Sequence, residues 1–317
     1  MIHNFRFLTL APLLLGLLGC SLKNHAVNMV GDVLASGNSV YEADADVELV
    51  GDALPFGLKL IEGLLEESPN HRGLLLAAAR GFVLYSYVRV ADRAEVLEDV
   101  DLDRSRALRL RAKKLYLRGL TFGLRGLEVS YPGFGGKLFA NPEDAVVGIH
   151  NRKKKQKDLP LLYWSATALG LGISVSRNDA GMLARLPEVD SMLDRALTLD
   201  ESWGEGSLHE FAIQLASARP GKADYQTLKK HFDSALALSG YPRAGLYVAY
   251  AEAVSLPQQD KPKFRALLEK ALILDPDTDP SKRLVNVLAQ RRALRLLTKI
   301  DDLILDLETN KRPEGAQ

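Results

Sequence analysis

The sequence predicts an all-α chain of consecutive helical hairpins, and three observations carry that prediction. Apolar residues recur every three or four positions, as in Val47, Val50, Leu54, Leu58, Ile61 and Leu65, the spacing of one helix face. No run of four or more residues alternates apolar with polar between turn signals, so no strand is predicted. Prolines punctuate the helical pattern at Ser68-Pro69-Asn70, Tyr131-Pro132-Gly133, Tyr241-Pro242, Leu256-Pro257 and Asp275-Pro276. Each pushes its predecessor out of the α region and separates two helices.

The bulk numbers fit this reading. The chain has 317 residues, 47% of them hydrophobic, which is globular composition. Its 41 Lys and Arg are offset by 40 Asp and Glu, so no net charge points to nucleic acid.

The first element is a targeting segment, residues 1–19. Arg6 supplies a positive start, Leu8 to Leu18 form a largely apolar run of 11 residues, and Leu17-Leu18-Gly19-Cys20 follows. The run is too short to span a bilayer, which takes about 20 residues. Cys20 is the sole cysteine, so no intrachain disulfide forms. Leu-Leu-Gly-Cys resembles a bacterial lipoprotein lipobox, with Cys20 as the lipidated mature N-terminus and residues 20–40 as a tether. Several acyl chains on one residue would anchor stably. Ser21, rather than an Asp, leans toward the outer membrane. A cleaved signal with an incidental Cys is the plainer reading.

The helical domain covers 41–309, and 310–317 read as a disordered tail. Pro55 marks a start or kink in the first helix. From Arg104 to Arg125 lie eight Lys or Arg and no acid, behind Glu95, Glu98, Asp99, Asp101 and Asp103. This predicts a helix with a cationic face that those acids compensate, or else a docking patch for an acidic partner or for lipid headgroups. Gly119, Gly123 and Gly126 each cost about 1 kcal/mol in a helix and predict close packing against another helix, inside the protomer by default or, on the sharper reading, at a subunit interface. Arg152 to Lys157 read as an exposed mobile loop. Leu159 to Ile173 are apolar on every side but carry Ser165, Thr167 and small residues, which suits a packed core helix better than lipid.

Three segments repeat: Arg195-Ala-Leu-Thr-Leu-Asp200, Ser234-Ala-Leu-Ala-Leu-Ser239 and Lys270-Ala-Leu-Ile-Leu-Asp275. Ala196, Ala235 and Ala271 stand 39 and 36 residues apart. A helix ending in small-Leu-x-Leu before a turn is the close of a tetratricopeptide-like hairpin, here longer than the strict repeat. Stacked hairpins predict a curved solenoid with a concave face.

Several catalytic or ligand patterns fail on inspection. Gly133-Phe-Gly-Gly-Lys137 lacks the first glycine and the hydroxyl of a phosphate loop. Asp99, Asp101 and Asp103 begin like a calcium loop, but Arg104 and Leu110 stand where Gly and Glu are required. His209-Glu210 begins like a zinc helix, but Ile213 replaces the second His. No cofactor, metal site or catalytic residue is predicted. An enzyme would have to rely on His209, Glu210 or Glu252, and no separate catalytic domain accompanies them.

Taken together and in order, several segments resemble the T-component (TatT) family of tripartite ATP-independent periplasmic transporters. They are Ala53-Leu-Pro-Phe-Gly-Leu-Lys59, Arg111-Ala-Lys-Lys-Leu-Tyr-Leu-Arg118, Tyr131-Pro-Gly-Phe134 and Leu162-Tyr-Trp164. Arg195-Ala-Leu-Thr-Leu-Asp-Glu201, Gly206-Ser-Leu-His-Glu-Phe211 and Val248-Ala-Tyr-Ala-Glu252 continue the series. Arg283-Leu-Val-Asn286 and Gln290-Arg-Arg-Ala293 close it. The resemblance implies a non-enzymatic, lipid-anchored periplasmic protein that forms a homotrimer and docks the transporter's periplasmic solute-binding protein, assisting uptake of small organic ligands. It carries Tyr163, Trp164, His209, Glu210, Tyr250, Glu252, Asn286 and Arg292 over as ligand- or partner-binding residues, with Trp164, His209 and Tyr250 as cavity walls. Asn286 reads equally as a helix cap, and Arg292 as the partner of a carboxylate. The competing reading is a repeat scaffold for envelope protein assembly.

Overall fold

The computed structural model describes residues 40–305 apart from 151–157, Lys222 and Pro242. The targeting segment, Cys20, the basic run from Arg152 to Lys157 and the tail lie outside the described residues. Within them every regular element is helical.

Helix α1 (Val47–Glu67) starts on Asp46, whose carboxylate accepts the Leu49 amide at 2.9 Å, and runs through Pro55 unbroken. Next, α2 (Arg72–Tyr85) passes through a π-turn (Ser86–Ala91) into α3 (Asp92–Val96). By length and composition this continuous helix could cross a membrane, but it packs against α1, α4 (Leu102–Glu128) and α7 (Asp158–Ser174) as a core helix. Asp101 caps α4, accepting the Arg104 amide at 3.0 Å, which explains the apparent calcium pattern. Short helices α5 (Phe134–Ala140) and α6 (Pro142–Val147) lead to α7, then α8 (Ala180–Leu183) and α9 (Leu186–Leu199). Buried residues occupy all sides of α7, so its apolar character belongs to the core.

A 3₁₀ turn (Trp203–Gly206) opens the second half. It comprises α10 (Ser207–Ala216), α11 (Tyr225–Leu238), α12 (Ala244–Tyr250), a second π-turn (Ala251–Ser255), α13 (Lys261–Leu272), α14 (Arg283–Thr298) and α15 (Ile300–Leu303). The three repeated segments end α9, α11 and α13, each packed on the long helix before it: α7, α10 and α12. Ala196, Ala235 and Ala271 are all buried at those joints.

The glycines of α4 act inside the protomer. A Cβ at Gly123 would overlap Ser165 Oγ of α7, and one at Gly126 would meet Leu161 Cδ2 at 2.5 Å. The cationic face of α4 is largely compensated. Arg109 meets Glu98 at 2.7 Å, Lys113 meets Asp179 at 2.5 Å, Arg118 pairs with Glu62, and Arg111 donates to the Tyr85 hydroxyl at 2.9 Å. The Gly133 segment holds its own carboxylate: Glu128 accepts the Gly133 and Gly135 amides at 2.7 and 2.6 Å.

Two hydrophobic cores result, one under α1–α9 and one under α11–α13. Helix α14 belongs to both, giving Leu284 and Leu288 to the first and Ala289, Ala293 and Leu296 to the second. It also returns the chain to its beginning. The Leu284 amide donates to Glu42 O at 3.0 Å, Arg283 Nη1 to Ala43 O at 2.6 Å, and Arg291 pairs with Glu48 at 2.8 Å. The array is therefore closed on itself.

Candidate functional site

The closure brings charged side chains from distant parts of the chain into one seam between the two cores. Arg292 of α14 sits at its centre. Its Nε and Nη2 donate to both Glu252 oxygens at 3.0 and 2.8 Å, and Nη1 pairs with Glu95 of α3. One turn on, Arg295 Nη2 donates to Asp92 at 2.6 Å. The two π-turns serve this centre directly, since one carries Tyr87 and the other Glu252. A π-turn adds a residue to the helix and rotates the side chains after it, and such turns gather at functional sites.

The seam continues past Glu210 of α10, whose carboxylate takes Arg243 Nε at 2.6 Å. Arg243 Nη1 reaches Gly204 O and Ser207 Oγ at 3.0 and 2.9 Å. Beyond it lie Tyr163 and Trp164 of α7, edge to face with ring centres 5.1 Å apart. Tyr163 also meets Trp203 at 4.7 Å, and the Arg80 guanidinium, paired with Glu42, lies 5.9 Å from the Trp164 ring centre.

These groups share one electrostatic field. Burial pushes the Tyr87 phenol up to about 12, with Arg292 opposing it and Glu95, Asp92 and Glu210 adding to it. Burial likewise pushes Tyr163 up to about 12, with Glu210, Arg243 and Glu42 all within reach. Tyr116 of α4 is held well above its usual value by burial, and it too senses Tyr87 and Arg292. Burial works against the Arg292 charge, but Glu252 and Glu95 hold its value well above normal. Glu95 is shifted toward its neutral form by burial despite Arg292 and Arg295. The opposite leanings of Arg292 and Glu95 are reconciled by Glu252, whose two-oxygen grip supplies most of what keeps Arg292 charged.

Yet the centre is wet: the Arg292, Glu95 and Glu252 side chains retain 30%, 25% and 21% of their exposure. The carboxylates here are engaged, whereas Tyr87, Tyr116 and Arg177, after the end of α7, have no hydrogen-bond or ionic partner among the described residues. Partial burial pulls the Arg177 value down, with Glu252 opposing it, although the residue as a whole is exposed to solvent. Tyr87 and Tyr116 are phenols, which both donate and accept, Arg177 is a guanidinium open to solvent, and the buried donor left without a partner in the seam, among the described residues, is Arg295 Nε.

Of the residues expected from sequence, Tyr163, Trp164, Glu210, Glu252 and Arg292 meet in the seam. Three lie elsewhere. Asn286 accepts the Ala244 amide at 3.1 Å and caps α12. Tyr250 stacks on Phe232 with ring centres 4.4 Å apart in the second core. His209 turns away from its neighbour Glu210 and meets His231 of α11. Consecutive helical residues point about 100° apart, so one motif serves two faces. Sequence reading passed over Tyr87, Tyr116, Glu95, Arg177 and Arg295. Tyr116 carried a signal as part of the Arg111 to Arg118 segment, and Glu95 as an acid expected to compensate the basic face of α4, whereas it pairs with Arg292 and Arg295. A groove of 690 Å³ between α6 and α9, lined by Asn141, Pro187 and Asp194, contains none of these residues. Among the described residues no group of three or more His, Cys, Asp or Glu side chains is placed to hold a metal.

Comparison with known proteins agrees with the order of motifs. An uncharacterized protein of Treponema pallidum (strain Nichols) is 28% identical over 304 residues, spanning 91% of this chain and 94% of its own. The family model for the TRAP transporter T-component, a component of a transporter, matches residues 43–304, from the entry to α1 through α15. The chain belongs to the TRAP transporter T-component family.

Proposed function

We propose that this protein is a periplasmic lipoprotein, anchored through Cys20, that docks the solute-binding subunit of its transporter and holds a small organic anion in the seam on the way to uptake. Family membership supports the transport role, and the lipobox-like Leu17-Leu18-Gly19-Cys20 supports the anchor. The observation that carries the ligand reading is the set of uncommitted polar groups around Arg292, the two phenols of Tyr87 and Tyr116, the solvent-facing Arg177 and the unpaired Arg295 Nε, beside carboxylates already engaged. A ligand that satisfies that site brings acceptors and negative charge, and it pays no cost of separating Arg292 from Glu252. The hairpins, read as tetratricopeptide-like and assembled as a homotrimer, would present three seams to three solute-binding subunits.

Two measurements test this. Unlipidated protein beginning at Ser21, used as bait in an envelope extract, should recover a periplasmic solute-binding protein; recovery of outer-membrane assembly factors alone would favour a scaffold. Calorimetric titration with a panel of small mono- and dicarboxylates should show binding that Arg177→Ala and Tyr116→Phe each weaken about tenfold. No binding across the panel would remove the ligand role and leave docking alone.

A further inference from the structure

One cluster of titratable groups is unused by the function above. His209 of α10 and His231 of α11 face each other Nδ1 to Nδ1 at 2.8 Å. His209 is only 4% exposed, and its Nε2 lies 3.1 Å from the Glu201 carboxylate. Two ring nitrogens this close share one hydrogen. The Glu201 carboxylate, close to Nε2 though not aligned as a hydrogen bond, favours a proton there, which leaves His209 Nδ1 as acceptor and His231 Nδ1–H as donor.

The proton count decides what this contact withstands. A first proton from solvent goes to His231 Nε2, and the imidazolium still donates through Nδ1, now in a charge-assisted bond. A second proton has only His209 Nδ1 left to occupy. Two N–H groups then meet head-on, each ring carries a positive charge, and the contact cannot persist.

We propose that His209 and His231 form a proton-operated latch between α10 and α11, closed with no or one extra proton and opened by the second. Glu201 is the charged group that bears on both rings. Of the other charges on the flanking elements, Arg243, before α12, pairs with Glu210, Asp190 of α9 with Arg219, and Lys229 of α11 with Asp233, while Lys230, next to His231, is exposed to solvent. Tyr163 of α7 lies on the Glu210 side of α10. Burial lowers both histidines from their usual 6.5, so opening falls on the acid side of that value. The pair titrates as a unit, with two linked steps. Because Glu210 follows His209 on α10, opening would also loosen its grip on Arg243 at the edge of the seam. That last consequence rests on the seam being a binding site; the latch does not.

Trp203, in the turn between Glu201 and His209, is a natural reporter, and Trp164→Phe leaves it as the one tryptophan. In that full-length background, Trp203 emission followed from pH 8 to 4.5 should change below pH 6.5 with the one-proton slope of the second, opening protonation. His231→Gln, whose amide still donates to His209 Nδ1 but takes no proton, should abolish that slope. The same transition in His231→Gln, or no transition in the parent, would overturn the latch. Ring-nitrogen chemical shifts of the unsubstituted protein give a reading free of any folding defect in the variants: two linked titrations support it, and two independent ones refute it. Neither measurement involves a seam ligand, so each stands apart from the proposed function.

Discussion

Replacing Arg292 with Ala tests the logic of the seam. The substitution removes three charge-assisted bonds and leaves Glu252 and Glu95 facing each other without the cation between them. Breaking a buried ion pair by deleting one partner costs 3–5 kcal/mol, of the order of the lower end here because a fifth to a third of each side chain still meets water, so the expected cost is about 3 kcal/mol. For a chain of this length that corresponds to a fall in Tm of about 4–5 °C. Urea unfolding of the unlipidated protein, followed by helical circular dichroism, reads the cost. Adding Glu252→Ala should recover about 1.5 kcal/mol, because the bared carboxylate is removed with its partner. The penalty should also shrink on acidification. Without Arg292 the Glu95 carboxyl rises further above its unfolded value, so the destabilisation is greatest when the unfolded carboxylate is ionised and fades as protons neutralise Glu95. A loss below about 0.5 kcal/mol, or no recovery in the double variant, would show that Arg292 is a solvated surface charge and would refute the seam.

Further outcomes follow from single contacts. Gly123→Ala should destabilise by about 1–2 kcal/mol, since the strain against Ser165 Oγ exceeds the roughly 1 kcal/mol gained in helix propensity; Gly136→Ala, with open space around it, should be neutral or stabilising in the same urea assay. Asn286→Ala should cost about 1–2 kcal/mol by uncapping α12 in a buried setting. Alkaline titration at 295 nm should leave Tyr87 and Tyr163 protonated until about pH 12. Their folded values lie above the unfolded value of 10, so the stability they contribute is complete below pH 10 and is lost as pH rises from 10 to 12.

Local features were legible in the sequence because local forces write them. Asp46 and Asp101 begin helices by capping, the repeated Ala-Leu-x-Leu segments end them, and Gly123 and Gly126 announced a close helix contact. The seam was legible only in part. Tyr163, Glu210, Glu252 and Arg292 could be named from their motifs, but their pairing joins residues 33 to 197 positions apart, which no periodicity encodes. The π-turns were invisible for a related reason: Ser86–Ala91 and Ala251–Ser255 read as ordinary helix, and the extra residue appears only in the backbone. His209 and Tyr250 were drawn into the expected cavity by neighbours that point the other way.

What distinguishes this array from an open solenoid is the double commitment of α14. An open stack of hairpins touches only its neighbours, and its concave face flexes as the stack bends. Here Leu284 and Leu288 face one core, Ala289 and Ala293 face the other, and polar bonds from Arg283 to Arg295 tie the last long helix to residues 42–48 and 92–95. Bending the array at any joint would therefore have to stretch the seam, which contains its most strongly coupled charges. Such a frame holds Tyr87 and Tyr116 in fixed relation before any ligand arrives, and preorganised groups lose little entropy on binding. The same reasoning predicts how the frame fails. Severing the return of the chain with Arg283→Ala and Arg291→Ala together should weaken ligand binding at the seam although neither residue reaches it. Unchanged affinity in that variant, with helix content preserved, would mean that the cores alone set the geometry and that closure is incidental.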